Sequence, residues 1–411
     1  MPTPTEITSC EVCGSAELTP VLDLGDHPRC DDLVPVGDPR ACRESPIEIL
    51  YCARCATAHQ RFQVPKHDLF PKSYHYRSRF TVDVLRGMDA LVDSCERLLG
   101  PLSGKLVLDI GCNDASLLDF FARKGCQTIG IEPTDAWADG LNKGHHLYNA
   151  FFAEEPAEVI RRHHGSPDIV TFTNVFAHIE DLPGVIRALK RLLSPETVLV
   201  IENHYLGAVL DRNQFDTFYH EHPRTYSVSS FLHISKSLES GLGAVEFPSR
   251  YGGNIRVFMG RRFSGTVAPA VAAVAANEAS FLQRFGNLRA NVSNWKAALS
   301  QRLGDLVRTY GPLSAKAFPG RAAILIKMLQ LDDASVAVTY EKPGSMKIGH
   351  YLPGTRIPIR SDDELFALSS KPQVLLNLAW HISGEIRQYL NEHGYHGQVV
   401  DIVDPRDLKR S

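Results

Sequence analysis

The run Lys105-Leu-Val-Leu-Asp-Ile-Gly-Cys-Asn-Asp-Ala-Ser-Leu-Leu-Asp119 restricts the possible folds more than any other stretch of the chain. A short apolar run, Leu106 to Ile110, stops at Gly111, and helical spacing begins at Leu117, Leu118 and Phe121. That order predicts a buried strand, a tight turn and a helix, the opening of a doubly wound α/β sheet. A second strand, Thr128-Ile-Gly-Ile-Glu132, ends in an acid at the distance where such folds hold a ribose. The turn lacks the three-glycine dinucleotide fingerprint, which disfavours NAD. An acid on the first strand (Asp109), a small turn (Gly111, Asn113) and Glu132 suit S-adenosylmethionine (SAM) better.

The chain has 411 residues, enough for about three domains. A formal net charge of −3 gives no basic field, which argues against a nucleic-acid partner. No stretch approaches the roughly 20 apolar residues of a membrane span. The N-terminus has neither the basic nor the apolar region of a signal peptide, so a cytoplasmic enzyme, acting as a monomer, is expected.

Nine cysteines in such a chain point to thiols or metal ligands. Two knuckles, Cys10-Glu-Val-Cys13 and Cys52-Ala-Arg-Cys55, have the spacing that sets four thiolates around one structural Zn²⁺. Cys30 and Cys42 have no CxxC partner and are read as spare. The division expected is a zinc-binding module over 1–68, a SAM domain over 69–262, and a helical connector with a smaller Rossmann-like α/β domain over 263–411.

Between module and SAM domain lies an aromatic linker with Tyr74 and Tyr76, placed to roof a cleft. A helix follows, with Phe80, Val84, Met88, Leu91, Val92 and Leu98 at helical spacing. Further along, the strand Asp168–Asn174 leads to His178 at its carboxyl side, where open α/β sheets bind ligands. Tyr219-His-Glu-His222 is too polar for core and follows another strand. His222 titrates near neutrality, Glu221 suits orienting an imidazole, and Tyr219 suits donating to an oxyanion. The apolar stripe from Phe281 to Leu303 predicts a long helix. Leu306 to Lys316 reads as a strand and a small-residue turn, followed by a helix with Pro319 near its start. Ser314 and Lys316 in that turn are candidates for holding phosphate.

Across nearly its whole length the chain resembles the three-domain, SAM-dependent C-methyltransferases of deoxysugar biosynthesis. The matching residues are the paired knuckles, Tyr74 and Tyr76, Ile-Gly-Cys-Asn-Asp at 110–114, Asn174 with His178, and Tyr-His-Glu-His at 219–222. Tyr-Gly-x-x-Ser-Ala-Lys at 310–316, Leu-Pro-Gly-Thr-x-Ile-Pro at 352–358 and Ala379-Trp380 add to them. The resemblance implies methylation of a nucleotide-linked 4-keto sugar at C-3, or C-5 in some members. It implies His222 as base, with Glu221, Tyr219, His178 and Tyr76 around the sugar, and Asp109, Gly111, Asn113, Glu132 and Asn174 on the cofactor. Tyr74, Ser314 and Lys316 fall to the substrate. Ala115 departs from a common glycine, tolerable if the backbone there is ordinary, and Pro312 and Pro319 stiffen the C-terminal turn. An N- or O-methyltransferase, or a scaffold without catalysis, are the competing readings.

Overall fold

The computed structural model describes residues 4–70, 76–265, 268–404 and 406–408. Backbone proximity groups the chain into two compact units. One comprises Met1–Thr19, Leu50–Val209 and Glu221–Leu282; the other comprises Pro20–Ile49, Leu210–His220 and Gln283–Ser411.

The first unit is built on a seven-stranded sheet. Its order is Gly241–Glu246, Asn254–Gly260, Val198–His204, Ile169–Thr173, Leu106–Ile110, Gln127–Ile131, His146–Tyr148. The last five run parallel, and Asn254–Gly260 is antiparallel to both its neighbours. Continuous apolar runs make these strands because both faces are covered. Leu108, Ile110, Val170, Phe172, Leu199 and Ile201 pack with the helices Glu154–His164, Leu182–Leu192 and Val228–Ser237. Val107, Ile169, Val198 and Val200 face the opposite way, toward Val82–Leu99 and Ser116–Arg123. The order reverses between Leu106–Ile110 and Ile169–Thr173, so the ligand crevice of such a sheet lies outside their carboxyl ends.

Phe80 does not join the buried stripe of the first helix. It ends a 3₁₀ turn, Ser78–Phe80, before that helix begins and is 70% exposed. Ala115 also departs from expectation, since its φ of 63° is left-handed rather than ordinary. An alanine there is strained by about 1 kcal/mol or more.

The second unit holds five parallel strands in the order Ile359–Ser361, Val336–Glu341, Leu313–Lys316, Val374–Asn377, Gln398–Asp401. Most of the helix Phe281–Tyr310 belongs to it, with Phe285, Leu288, Trp295, Leu299 and Leu303 buried. The Trp295 indole N–H donates to the Ile402 carbonyl at 2.9 Å. The strand expected from Leu306 is therefore corrected. Residues 306–310 complete this helix, and Gly311, at φ 75°, closes it by donating to the Val307 carbonyl. The strand begins only at Leu313, and Pro319 precedes the helix Ala322–Met328 in a loop.

Within the same unit, residues 210–220 are tied down by buried polar bonds. Arg321 donates twice to the Asp216 carboxylate, at 2.7 and 2.6 Å, and the Trp380 indole N–H adds a third bond at 2.9 Å. Replacing Arg321 by Met leaves Asp216 buried and unpaired, so it should cost about 3–5 kcal/mol in denaturant unfolding. A loss under about 1 kcal/mol would mean that water reaches the carboxylate.

Candidate active site

The cofactor side of the site starts at Gly111, whose φ of 73° favours glycine. A Cβ there would come within 2.6 Å of Val175, so no other residue fits. Asn113, at φ 50°, turns its backbone N–H onto the Glu132 carboxylate at 3.0 Å. Glu132, just past its strand, also accepts from the Thr134 N–H at 2.9 Å and hydroxyl at 2.7 Å. The Asn113 side chain meanwhile accepts from the Ser78 N–H and donates to the Tyr76 carbonyl, at 2.9 and 3.2 Å. Tyr76 thus follows the turn through its backbone, while the residue stays 41% exposed. Tyr74 lies outside the described residues.

Asp109 sits one step inside the sheet and is buried, accepting from the Thr171 hydroxyl at 2.7 Å. Loss of solvent drives its pKa up to about 7, with the nearby Glu132 charge adding to the rise and the Thr171 bond opposing it.

The second group of side chains lies at the ends of the next strands. Asn174 is left-handed, with φ 55°, and its amide oxygen accepts from Asn254 at 3.3 Å. His178 donates from Nδ1 to the main-chain carbonyl of Glu221 at 2.6 Å. The main chain of Glu221 thus helps to orient this imidazole. Burial pushes the His178 pKa down, against the effect of that bond. The His222 ring lies 4.8 Å from His178 and 5.4 Å from His204, centroid to centroid. His204 was missed from sequence because it ends a strand with no motif around it, as was Asn203. The Asn203 amide is 1% exposed and has no hydrogen-bond partner among the described residues.

Tyr219 and His220 fall in the second unit, where His220 is buried and its Nε2 donates to the Ser45 carbonyl at 3.0 Å. Burial lowers its pKa to about 4, so it is neutral at cellular pH. Ser314 and Lys316 are also in this unit, on a strand rather than in a turn. Lys316 is 1% exposed and pairs with Asp362 at 2.8 Å, which corrects the expectation of a free phosphate-binding cation.

The four knuckle sulfurs, of Cys10, Cys13, Cys52 and Cys55, lie within 4.8 Å of one another. Tetrahedral zinc with ~2.3 Å bonds needs sulfurs ~3.8 Å apart. Cys10 and Cys55 stand at 3.4 Å and Cys13 and Cys52 at 3.5 Å, so the donor set fits structural zinc. Cys30 and Cys42 take no part.

Three family models match the chain: a zinc binding domain over 10–70, a methyltransferase domain over 85–238, and a C-methyltransferase C-terminal domain over 249–402. The C-methyltransferase NovU of Streptomyces niveus is 28% identical over 97% of this chain and 96% of its own length. A ubiquinone biosynthesis O-methyltransferase of Sodalis glossinidius is 36% identical, over 23% of this chain and 40% of its length. Among solved structures, a magnesium protoporphyrin IX methyltransferase of Synechocystis with bound SAH has 16% identity and a TM-score of 0.34. That match covers 43% of this chain and 83% of the other.

Protein purified without chelator should carry close to one zinc per chain by metal analysis, since a closed tetrahedral site binds one ion. The Asp109 pKa exceeds its unfolded value of 3.8, so the protonated fold gains stability at low pH and loses it as pH rises through about 7. Relative to Asp109→Asn, the wild type should lose a few kcal/mol of unfolding free energy between about pH 4 and 7. A flat difference across that window would show that the carboxyl stays ionised in the fold.

Proposed function

Because the chain belongs to a family of SAM-dependent C-methyltransferases with a zinc-binding N-terminus, we propose that its acceptor is a nucleotide-linked 4-keto sugar, methylated beside the ketone. C-3 is the carbon assigned, with C-5 as the variant to be tested against it. The observation that carries this reading is the set of imidazoles at the carboxyl edge of the sheet, His222 against His178, with Glu221 supplying the carbonyl that holds His178.

SAM supplies a methyl group that only a nucleophile can take. A sugar carbon becomes one when a base removes its proton and the neighbouring ketone accepts the charge as an enolate. His222 is assigned as that base. Tyr76 and His178 are assigned to the enolate oxygen, and Glu221 to the geometry of the imidazoles. On the cofactor, Gly111 allows close backbone approach, Glu132 is assigned to the ribose, and Asp109, Asn113 and Asn174 complete the wall.

The nucleotide is assigned to the second unit, where the strand order reverses between Leu313–Lys316 and Val374–Asn377. The loops after those strands, 317–321 and 378–382, replace the turn at 311–316, with Ser314 beside them. The functional modules are assigned as 1–68, 69–262 and 263–411, although 20–49 and 210–220 group by backbone proximity with the second unit, and the enzyme is assigned as a cytoplasmic monomer that acts without nucleic acid.

Incubation with SAM and a panel of dTDP-, GDP- and CDP-linked 4-keto sugars should yield one product heavier by a methyl group, and NMR of that product assigns the carbon. His222→Asn should lower kcat at least ~10²-fold while leaving SAM affinity intact. It should also abolish exchange of the sugar's α-proton with solvent in the absence of SAM. Exchange at the wild-type rate with methyl transfer lost would make His222 a positioning group.

A further inference from the structure

The zinc knuckles and the segment that carries His222 form one hydrogen-bonded structure. The strand Arg224–Thr225 starts two residues after His222 and runs antiparallel to Thr57–Gln60, with Arg224 opposite His59 and Thr225 opposite Ala58. The Gln60 N–H adds a bond to the Pro223 carbonyl at 2.9 Å.

Side chains repeat the link. The Arg224 guanidinium, wholly buried, donates to the Glu11 carboxylate, to the Tyr226 hydroxyl at 3.1 Å and to the Glu180 carbonyl at 3.3 Å. Glu11 lies between the two cysteines of the first knuckle. Its carboxylate also accepts from the Gln63 amide at 2.6 Å and faces His59 Nδ1 at 3.6 Å. His59 Nε2 in turn stands 3.3 Å from Cys10 Sγ. Glu11 and His59 thus form a layer of outer contacts around Cys10, the kind of surroundings that orient a metal's ligands. At the second knuckle, the Cys55 carbonyl accepts from Ser227 at 3.4 Å and Ser230 at 3.2 Å, the two hydroxyls that cap the helix Val228–Ser237.

We propose that Arg224 is a positioning residue: with Glu11 it fixes the His222 segment to the zinc knuckle, so that the metal site sets where the imidazole stands. This rests on the reading of His222 as the base. Two residues of chain span at most ~7 Å, which leaves little slack between the anchor and the imidazole. A buried ion pair is weak evidence for stability, because an apolar replacement often folds as well or better. What such a pair supplies is register, and a misplacement of ~1 Å at a reacting centre is enough to cost ~10²-fold in rate.

The test uses full-length wild type, Arg224→Met, Arg224→Lys and Glu11→Gln. Zinc per chain and SAM affinity by calorimetry should stay close to wild type. In Arg224→Met, kcat on the accepted keto sugar should fall at least ~10-fold with KM for SAM unchanged, and Arg224→Lys should recover part of the loss. Zinc release to a chromogenic chelator gives a readout independent of turnover. It should be faster in Arg224→Met and Glu11→Gln. The sugar nucleotide should tighten zinc binding, measured by equilibrium competition with the chelator, in wild type and not in Arg224→Met, because coupling between the binding free energies of two ligands is reciprocal. Wild-type kcat and wild-type zinc release in Arg224→Met overturn the proposal. So does a parallel loss of zinc, SAM affinity and kcat in all three variants, which makes the contact a fold element alone. If the wild type turns over no keto sugar, the substrate reading fails, while unchanged zinc release in the variants would still sink the positioning role by itself.

Discussion

A parallel sheet covered on both faces leaves polar side chains one place to work, the edge where its strands end, because everywhere else they lose water without finding partners. Asp109 and Glu132 show the two sides of that boundary. Asp109 is one residue inside, with Thr171 as its hydrogen-bond donor, and solvent loss holds its proton on to about pH 7. Glu132 is one residue beyond its strand, where two backbone N–H groups and a hydroxyl meet its carboxylate. Glu132, though buried as well, is the acid the backbone has surrounded with donors. Asn174, His178 and His204 occupy the same edge on the neighbouring strands.

Elsewhere the fold buries charge beside opposite charge and hydrogen-bond donors. Glu202 accepts from Arg256 at 2.8 Å, from Asn254 at 3.0 Å and from Arg250 at 3.3 Å, joining strands that run in opposite directions. Lys316 with Asp362, and Asp216 with Arg321 and Trp380, do the same in the second unit. Apolar residues of similar size would serve stability as well. Directional bonds of this kind select one register of the chain over its neighbours.

That distinction also explains how much was legible in the sequence. The strand at 106–110 and the paired knuckles follow from local spacing, and each lies where the spacing puts it. Gly111 announces itself because only glycine has room beside Val175. Lys316 misled because a lysine after small residues looks like a phosphate-binding turn. Its true partner, Asp362, is 46 residues on. The strand expected at Leu306 failed for a related reason: the helix had already carried its apolar period to residue 310, and only Gly311 ended it. His204 and Asn203 carry no local signature, since their meaning comes from what the sheet brings beside them.

The pairing of Thr57–Gln60 with Arg224–Thr225 has a consequence for the order of events during synthesis. All four cysteines emerge from the ribosome within the first 55 residues, well before the strand at 224–225 exists. The knuckles can therefore collect their ion early, yet Glu11 and the Cys55 carbonyl wait more than 160 further residues for Arg224, Ser227 and Ser230. Long-range pairings of this kind form late. The nascent chain can therefore complete its four-sulfur set, with Glu11, His59 and Gln63 beside it, long before the residues at 224–230 that pin it from the other side have been made.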